Sequence, residues 1–169
     1  MPNSPVLPGL SFAELLAYSA AENEQWHRWF TAHPAMLDRP FAEPPIASVR
    51  QLVRHVAFVE HRYAALIPGD QPPPASGSNS DDVDVLFAYV AAGRRAFEAT
   101  IRRATDGGLD RVVEFMTLTA GQRHATARKM IGHALMHGIR HWAQLATVLR
   151  QEGDRTDWSH DLLMSAALD

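Results

Sequence analysis

The chain has no cysteine among its 169 residues. Without one it has no disulfide framework and no thiol nucleophile. Any reactive group or soft ligand must therefore be histidine, carboxylate, hydroxyl, water or a cosubstrate. A basic excess is missing too: 16 Lys and Arg against 19 Asp and Glu leave a formal net charge of -3, which argues against a nucleic-acid partner. No apolar run approaches the roughly 20 residues of a membrane-spanning helix. The first residues, MPNSPVLPGL, show neither the basic region nor the apolar stretch of a secretory signal, so the cytoplasm is the expected compartment. What is present, 46% hydrophobic and 21% charged residues, suits an ordinary globular protein, and the length predicts a single domain over 1–169.

Local signals divide the chain into four amphipathic helices. Ser11-Phe12-Ala13-Glu14 reads as a capping box, followed by Phe12, Leu15, Leu16, Ser19, Trp26 and Phe30 at helical spacing to about His33, where Pro34 stops the helix. Pro40, Pro44 and Pro45 predict a rigid loop. Ser48-Val49-Arg50-Gln51 is a second capping signature, and Leu52, Val53, Val56, Val59, Tyr63 and Leu66 trace the buried stripe of the helix it starts. Residues 68–82 are rich in Pro, Gly, Ser and Asp and read as a linker. A third helix is expected from about Val83 to Thr105, with Leu86, Tyr89, Val90, Phe97 and Ile101 inward and a stop near Gly107-Gly108. The β-branched run Val112 to Leu118 suggests a short extended arm. The last helix should start near Thr119 to Gln122 and run to about Glu152, closed by Gly153. Four such helices predict an all-α four-helix bundle with long loops.

The most informative residues are His133, His137 and His141, spaced four apart on the last helix. Four residues advance a helix by about 6 Å and return the side chain to nearly the same face, so an i, i+4 pair of imidazoles can converge on one cation. Eight residues, at about 12 Å, cannot. One ion could take His133 with His137 or His137 with His141, and spacing does not choose. Further ligands must come from another helix, and His55 is the evident donor. Glu60 lies about 140° around the second helix from His55, so a general-base role there needs a bend or a long reach.

Other candidates have simpler readings. His61 falls on a different face and reads as a surface residue; His27, His33, His124 and His160 have no partner at ligand spacing and read as solvated. Trp26, Trp29 and Phe30 read as core or dimer contact, as does Trp142, with a pocket-wall role beside His141 as its alternative. Glu22 and Glu24 read as a polar face, and Arg94, Arg95, Arg102 and Arg103 as a solvated basic patch.

The helix-two histidine in SVRQLVRHVAFVEHRYAAL, paired with HGIRHWAQLATVLRQEG in the last helix, resembles the DinB family, the metal-binding four-helix bundles that include YfiT-like proteins. The likeness spans nearly the whole chain. It implies a metal held by His55, His137 and His141, with His133 beside the site and Gln144 three residues beyond His141. Trp142 departs from the family pattern at the pocket mouth.

Three neutral imidazoles with open positions suit Zn²⁺ or Ni²⁺, and also Fe²⁺, better than Mg²⁺ or Ca²⁺. Such a site can lower the pKa of bound water to about 7 or hold a thiol as thiolate. The resemblance further implies a metal-dependent thiol transferase or isomerase acting on a small molecule with a low-molecular-weight thiol. Its alternatives are a metal-dependent hydrolase or a stress-linked bundle that holds metal or ligand without turnover. A homodimer is expected, with helix one and Leu162, Leu163, Met164 and Leu168 as its apolar surface.

Overall fold

Each helix begins at a side chain that satisfies its free amides. The computed structural model describes residues 9–43, 45–74, 80–104, 108–117 and 121–168. Helix α1, Phe12–Ala32, opens on a reciprocal box: the Glu14 amide donates to the Ser11 hydroxyl at 3.2 Å, and the Ser11 amide donates to the Glu14 carboxylate at 2.6 Å. Pro34 ends it and starts a 3-10 turn over Pro34–Asp38. Helix α2, Val49–Leu66, is capped by Ser48, whose hydroxyl accepts the Gln51 amide at 3.3 Å. Helix α3 spans Val83–Ala104, and helix α4 spans Ala127–Gln151.

The expected rigid loop after α1 instead contains a small antiparallel pair, β1 (Pro40–Glu43) with β2 (Ile46–Ser48). Proline is tolerated at the first position of such a strand, and the Phe41 side chain is buried against the core. The linker 68–82 forms no helix or strand among its described residues, and 75–79 lie outside them. Its end is tied to α2, because Arg54 donates to the Ser80 carbonyl and Arg50 to the Asp81 carbonyl, each at 2.9 Å.

The start of the last helix differs from the sequence reading. The extended arm is present as β3 (Val112–Thr117), but residues 121–126 form its partner β4 (Gly121–Thr126), paired residue for residue from Val112 with Thr126 to Thr117 with Gly121. Helix α4 therefore begins at Ala127, where the Thr126 hydroxyl accepts the Lys129 amide at 3.2 Å. Thr105, Gly107, Leu118 and Thr119, named in those expectations, lie outside the described residues.

The molecule is an all-α four-helix bundle; the strand pairs are minor. Helix α1 packs closely on α3 and α4, and α2 packs on the same two, so α1 and α2 lie across the bundle from each other. One apolar cluster joins Trp26, Phe30, Leu52, Leu86 and Trp142; another joins Leu16, Val59, Phe97, Ile131 and Leu135. Gly138 of α4 is buried, and an added Cβ there would lie 3.6 Å from Val56 and 3.9 Å from Ser19.

Arg94 is not part of a solvated basic patch. It is buried and donates to the Glu60 carboxylate and, at 2.7 Å, to the Ser19 hydroxyl, linking α3 to α2 and α1. Arg95, Arg102 and Arg103 are exposed, as expected.

Candidate metal centre

Helices α2 and α4 bring three imidazoles to one point. His137 and His141, one turn apart on α4, have their Nε2 atoms 3.0 Å from each other, and His55 of α2 places its own Nε2 3.0 Å from that of His137. Across the whole set, the candidate ligand atoms lie within 4.8 Å of one another. His141 and His137 are buried, at 2% and 9% exposure, whereas His55 is half-buried and borders the accessible side.

His133 is outside this group. It is exposed, its ring lies 5.5 Å from that of His137, and its Nδ1 is 3.2 Å from the Tyr63 hydroxyl of α2. Tyr63 in turn meets Phe115 of β3, and the neighbouring Arg62 donates to the Met116 carbonyl, so the β3–β4 hairpin is fastened beside the cluster.

The electrostatics favour a neutral His137. Burial, reinforced by the neighbouring His141, His55 and His133 and by Arg140, pushes the His137 pKa down to about 2. Burial likewise lowers that of His133, with Arg140 adding to the effect. A neutral imidazole has one lone pair and one N–H. His137 Nε2 therefore cannot satisfy two ring nitrogens at 3.0 Å equally well by hydrogen bonding, whereas a cation accepts a lone pair from all three. Two ligands about 2.05 Å from a tetrahedral zinc would stand roughly 3.3 Å apart, within a few tenths of an ångström of the 3.0 Å His55–His137 and His137–His141 spacings. The donor set is all imidazole, which suits Zn²⁺, Ni²⁺ or Fe²⁺.

Other residues are used differently from their sequence readings. Glu60 faces away from the imidazoles toward Arg94, and burial raises its pKa to about 7 while Arg94 opposes that shift. Trp26, Trp29, Phe30 and Trp142 are core; Trp142 stacks on Trp26 at 5.5 Å and donates its indole N–H to Asn23 at 2.9 Å.

His61 is not a surface residue. Its Nε2 lies 3.0 Å from the Tyr89 carbonyl, and its ring fills the space beside Gly93. His27 is half-buried and pairs with Asp84 at 2.9 Å; His33 is exposed and bonds the Trp29 carbonyl at 2.9 Å, and His124 is exposed. His160 departs from its solvated reading and Glu22 from its reading as part of a polar face. They meet at 2.7 Å, 138 residues apart in sequence. The signal for that meeting is weak: the short WSH run places an indole and an imidazole where a returning strap can reach α1.

Comparison with known proteins agrees with this fold. No curated protein sequence matches the chain. Among solved structures, YfiT from Bacillus subtilis, described as a probable metal-dependent hydrolase with an unusual four-helix bundle topology, superposes with a TM-score of 0.62 at 19% identity. The match covers 90% of this chain and 97% of that one. Among the described residues no helix is long and apolar enough to cross a membrane. The DinB family model matches residues 1–165, nearly the full length, and this chain belongs to the DinB family.

Proposed function

We propose that His55, His137 and His141 bind one divalent transition metal, zinc or nickel first and iron next, and that the protein is a metal-dependent enzyme acting on a small molecule. The observation that carries this reading is the gathering of a ring nitrogen from each of the three within 4.8 Å of one another, with His137 held neutral by burial. When bound, such an ion supplies Lewis acidity, which lowers the pKa of a coordinated water or thiol toward neutrality.

The chain's own residues do the rest. His137 and His141 are fixed by α4, and His55 leaves the approach from solvent on its side of the cluster. His133 and the Tyr63 hydroxyl form a hydrogen-bonded pair at the rim, placed to hold a polar group of a substrate. With no cysteine in the sequence, any thiol must arrive as a cosubstrate. A low-molecular-weight thiol transferase or isomerase and a water-dependent hydrolase share this site, and they differ in which nucleophile enters. The likeness to YfiT supports the hydrolase form.

The chain acts as one domain in the cytoplasm. The exposed Leu163 and Met164, with the half-buried Leu162, give it a surface for homodimerisation. Sedimentation showing a monomer at micromolar concentration removes the dimer.

Metal content by elemental mass spectrometry tests the site. Near one equivalent of zinc, nickel or iron is expected in the wild type and almost none in His55→Ala or His141→Ala. No bound ion and no uptake on titration overturn it. With metal confirmed, activated esters and amides should turn over without a thiol if the hydrolase form holds. Turnover only with added thiol identifies the transferase, and no turnover under either condition leaves a metal-holding bundle.

A further inference from the structure

After α4 the chain returns across α1 as a strap, residues 152–168, and it places a hydroxyl, an imidazole and a carboxylate in line. Thr156 Oγ1 lies 3.0 Å from His160 Nε2, and His160 Nδ1 lies 2.7 Å from Oε2 of Glu22 on α1. Glu22 is buried at 6% exposure, and its other oxygen accepts the Trp158 indole N–H at 3.1 Å. An ionised carboxylate only accepts hydrogen bonds, so Nδ1 carries the imidazole proton and Nε2 presents its lone pair to the Thr156 hydroxyl. The hydroxyl's other acceptor, the Trp158 carbonyl, is farther, at 3.3 Å.

The His160 ring is further held by stacking on Trp26 at 5.1 Å, and its carbonyl accepts the Tyr18 hydroxyl at 2.6 Å. A base this firmly oriented, beside a hydroxyl, is the arrangement that activates an oxygen nucleophile. Thr156 and His160 also line a cavity of about 740 Å³, together with Ala146 and Arg150 of α4 and Arg155 and Leu162 of the strap. A small ester fits that volume, with apolar contact at Ala146 and Leu162 and the two guanidinium groups near a developing oxyanion.

We propose that Thr156, His160 and Glu22 form a second, metal-independent site that transfers acyl groups from small esters to water. Thr156 Oγ1 forms a bond to the acyl carbon while its proton passes to His160 Nε2. The carbonyl electron pair moves onto oxygen and returns as the bond to the leaving alkoxide breaks. The alkoxide takes the proton from His160. Water then repeats the sequence on the threonyl ester and releases the carboxylic acid, so that ester and water become acid and alcohol. Thr156 and His160 are the catalytic residues, and Glu22 is a positioning residue.

The charged and titratable groups facing His160 are Glu22 and Tyr18 on α1, Arg150 on α4, and Asp154, Arg155 and Asp161 in the strap. The test uses full-length protein stripped of metal with a chelator and incubated with p-nitrophenyl acetate, followed by peptide mapping. An acetyl group on Thr156 is expected in the wild type, retained at the same position in Thr156→Ser and absent in Thr156→Ala. The acylation rate should rise with pH, because only the neutral imidazole accepts the hydroxyl proton. In Glu22→Gln the rate should fall about a hundredfold or more, and its pH profile should move to lower pH. Because the wild-type map is read directly, misfolding of a variant cannot disguise the result. Acetylation confined to other residues, or equal turnover in Thr156→Ala, overturns the proposal and leaves the three side chains as an anchor for the strap.

Discussion

Two buried polar clusters stand on opposite sides of α2, and they solve the same problem in different ways. Between α2 and α3, Glu60 meets Arg94, with Ser19 of α1 completing the set; the two charges compensate each other. Between α2 and α4, His55, His137 and His141 turn like groups toward one another, and no acidic side chain joins them among the described residues. The first cluster balances its charges within itself, although Glu60 Oε2 and Arg94 Nε and Nη1 are buried without a hydrogen-bond partner among the described residues. The second is a group of like side chains that could hold a metal ion. Burial of polar groups is thus no sign of a site by itself; the sign is the charge balance of what is buried.

The largest expected effect breaks the charge-balanced cluster. Arg94→Ala leaves Glu60 buried without its cation and should cost about 3–5 kcal/mol in denaturant unfolding. The double replacement Glu60→Leu with Arg94→Met should regain most of that loss, because a well-packed apolar pair avoids desolvating either charge. A double variant as unstable as Arg94→Ala would show that the ion pair does more than compensate itself.

Next in size is the gain from completing the other cluster. Free zinc or nickel at a hundred times its dissociation constant should stabilise the wild type by about 2.7 kcal/mol, and His55→Ala should show no such rise by scanning calorimetry. An equal rise in the variant would place the ion elsewhere.

The pH response of metal-free protein sharpens the contrast, since the two clusters have opposite signs. His137 titrates near 6.5 when unfolded and about 2 when folded, so the unfolded state binds the extra proton and stability falls as pH drops below 6.5. Glu60 titrates near 4.5 unfolded and about 7 folded, so there the folded state binds the proton and stability falls as pH rises from 4.5 to 7. Between pH 4.5 and 6.5 the two contributions offset each other in the wild type. Glu60→Gln should expose a loss of about 1.4 kcal/mol per pH unit on acidification, measured by urea unfolding across that range. An unchanged slope would mean that one of the two groups keeps its ordinary pKa.

The smallest effects separate two glycines. In Gly93→Ala the new methyl would lie 2.7 Å from the His61 ring and displace it, at a cost of about 1 kcal/mol. Gly138→Ala meets only ordinary contacts and should gain up to about 1 kcal/mol from helix propensity. Thermal unfolding of both variants checks the opposite signs.

Much of this was legible in the sequence because its signals are local. Ser11 and Ser48 announce helices by bonding amides three residues away, and His137 and His141 share a face by spacing alone. The choice of that pair over His133 and His137 came from family resemblance, and the structure brings the same three rings together. Strand β4 was missed because Gln122, Arg123 and His124 are exposed and show no apolar alternation; only pairing with β3 makes them a strand. Arg94 looks like a surface charge until Glu60, 34 residues away, is placed beside it. Glu22 and His160 are harder still, since the strap must first close over α1.

The strap also gives the chain an optical property. The other three tryptophans gather around Trp26, with Trp158 at 5.0 Å, Trp142 at 5.5 Å and Trp29 at 6.0 Å between ring centres. Trp158 belongs to the strap, and Trp142 adjoins His141 on α4. Excitation energy absorbed anywhere in the chain is therefore shared within one spot, and the ultraviolet emission of the protein reports both lifting of its tail and the arrival of a quenching ion beside α4.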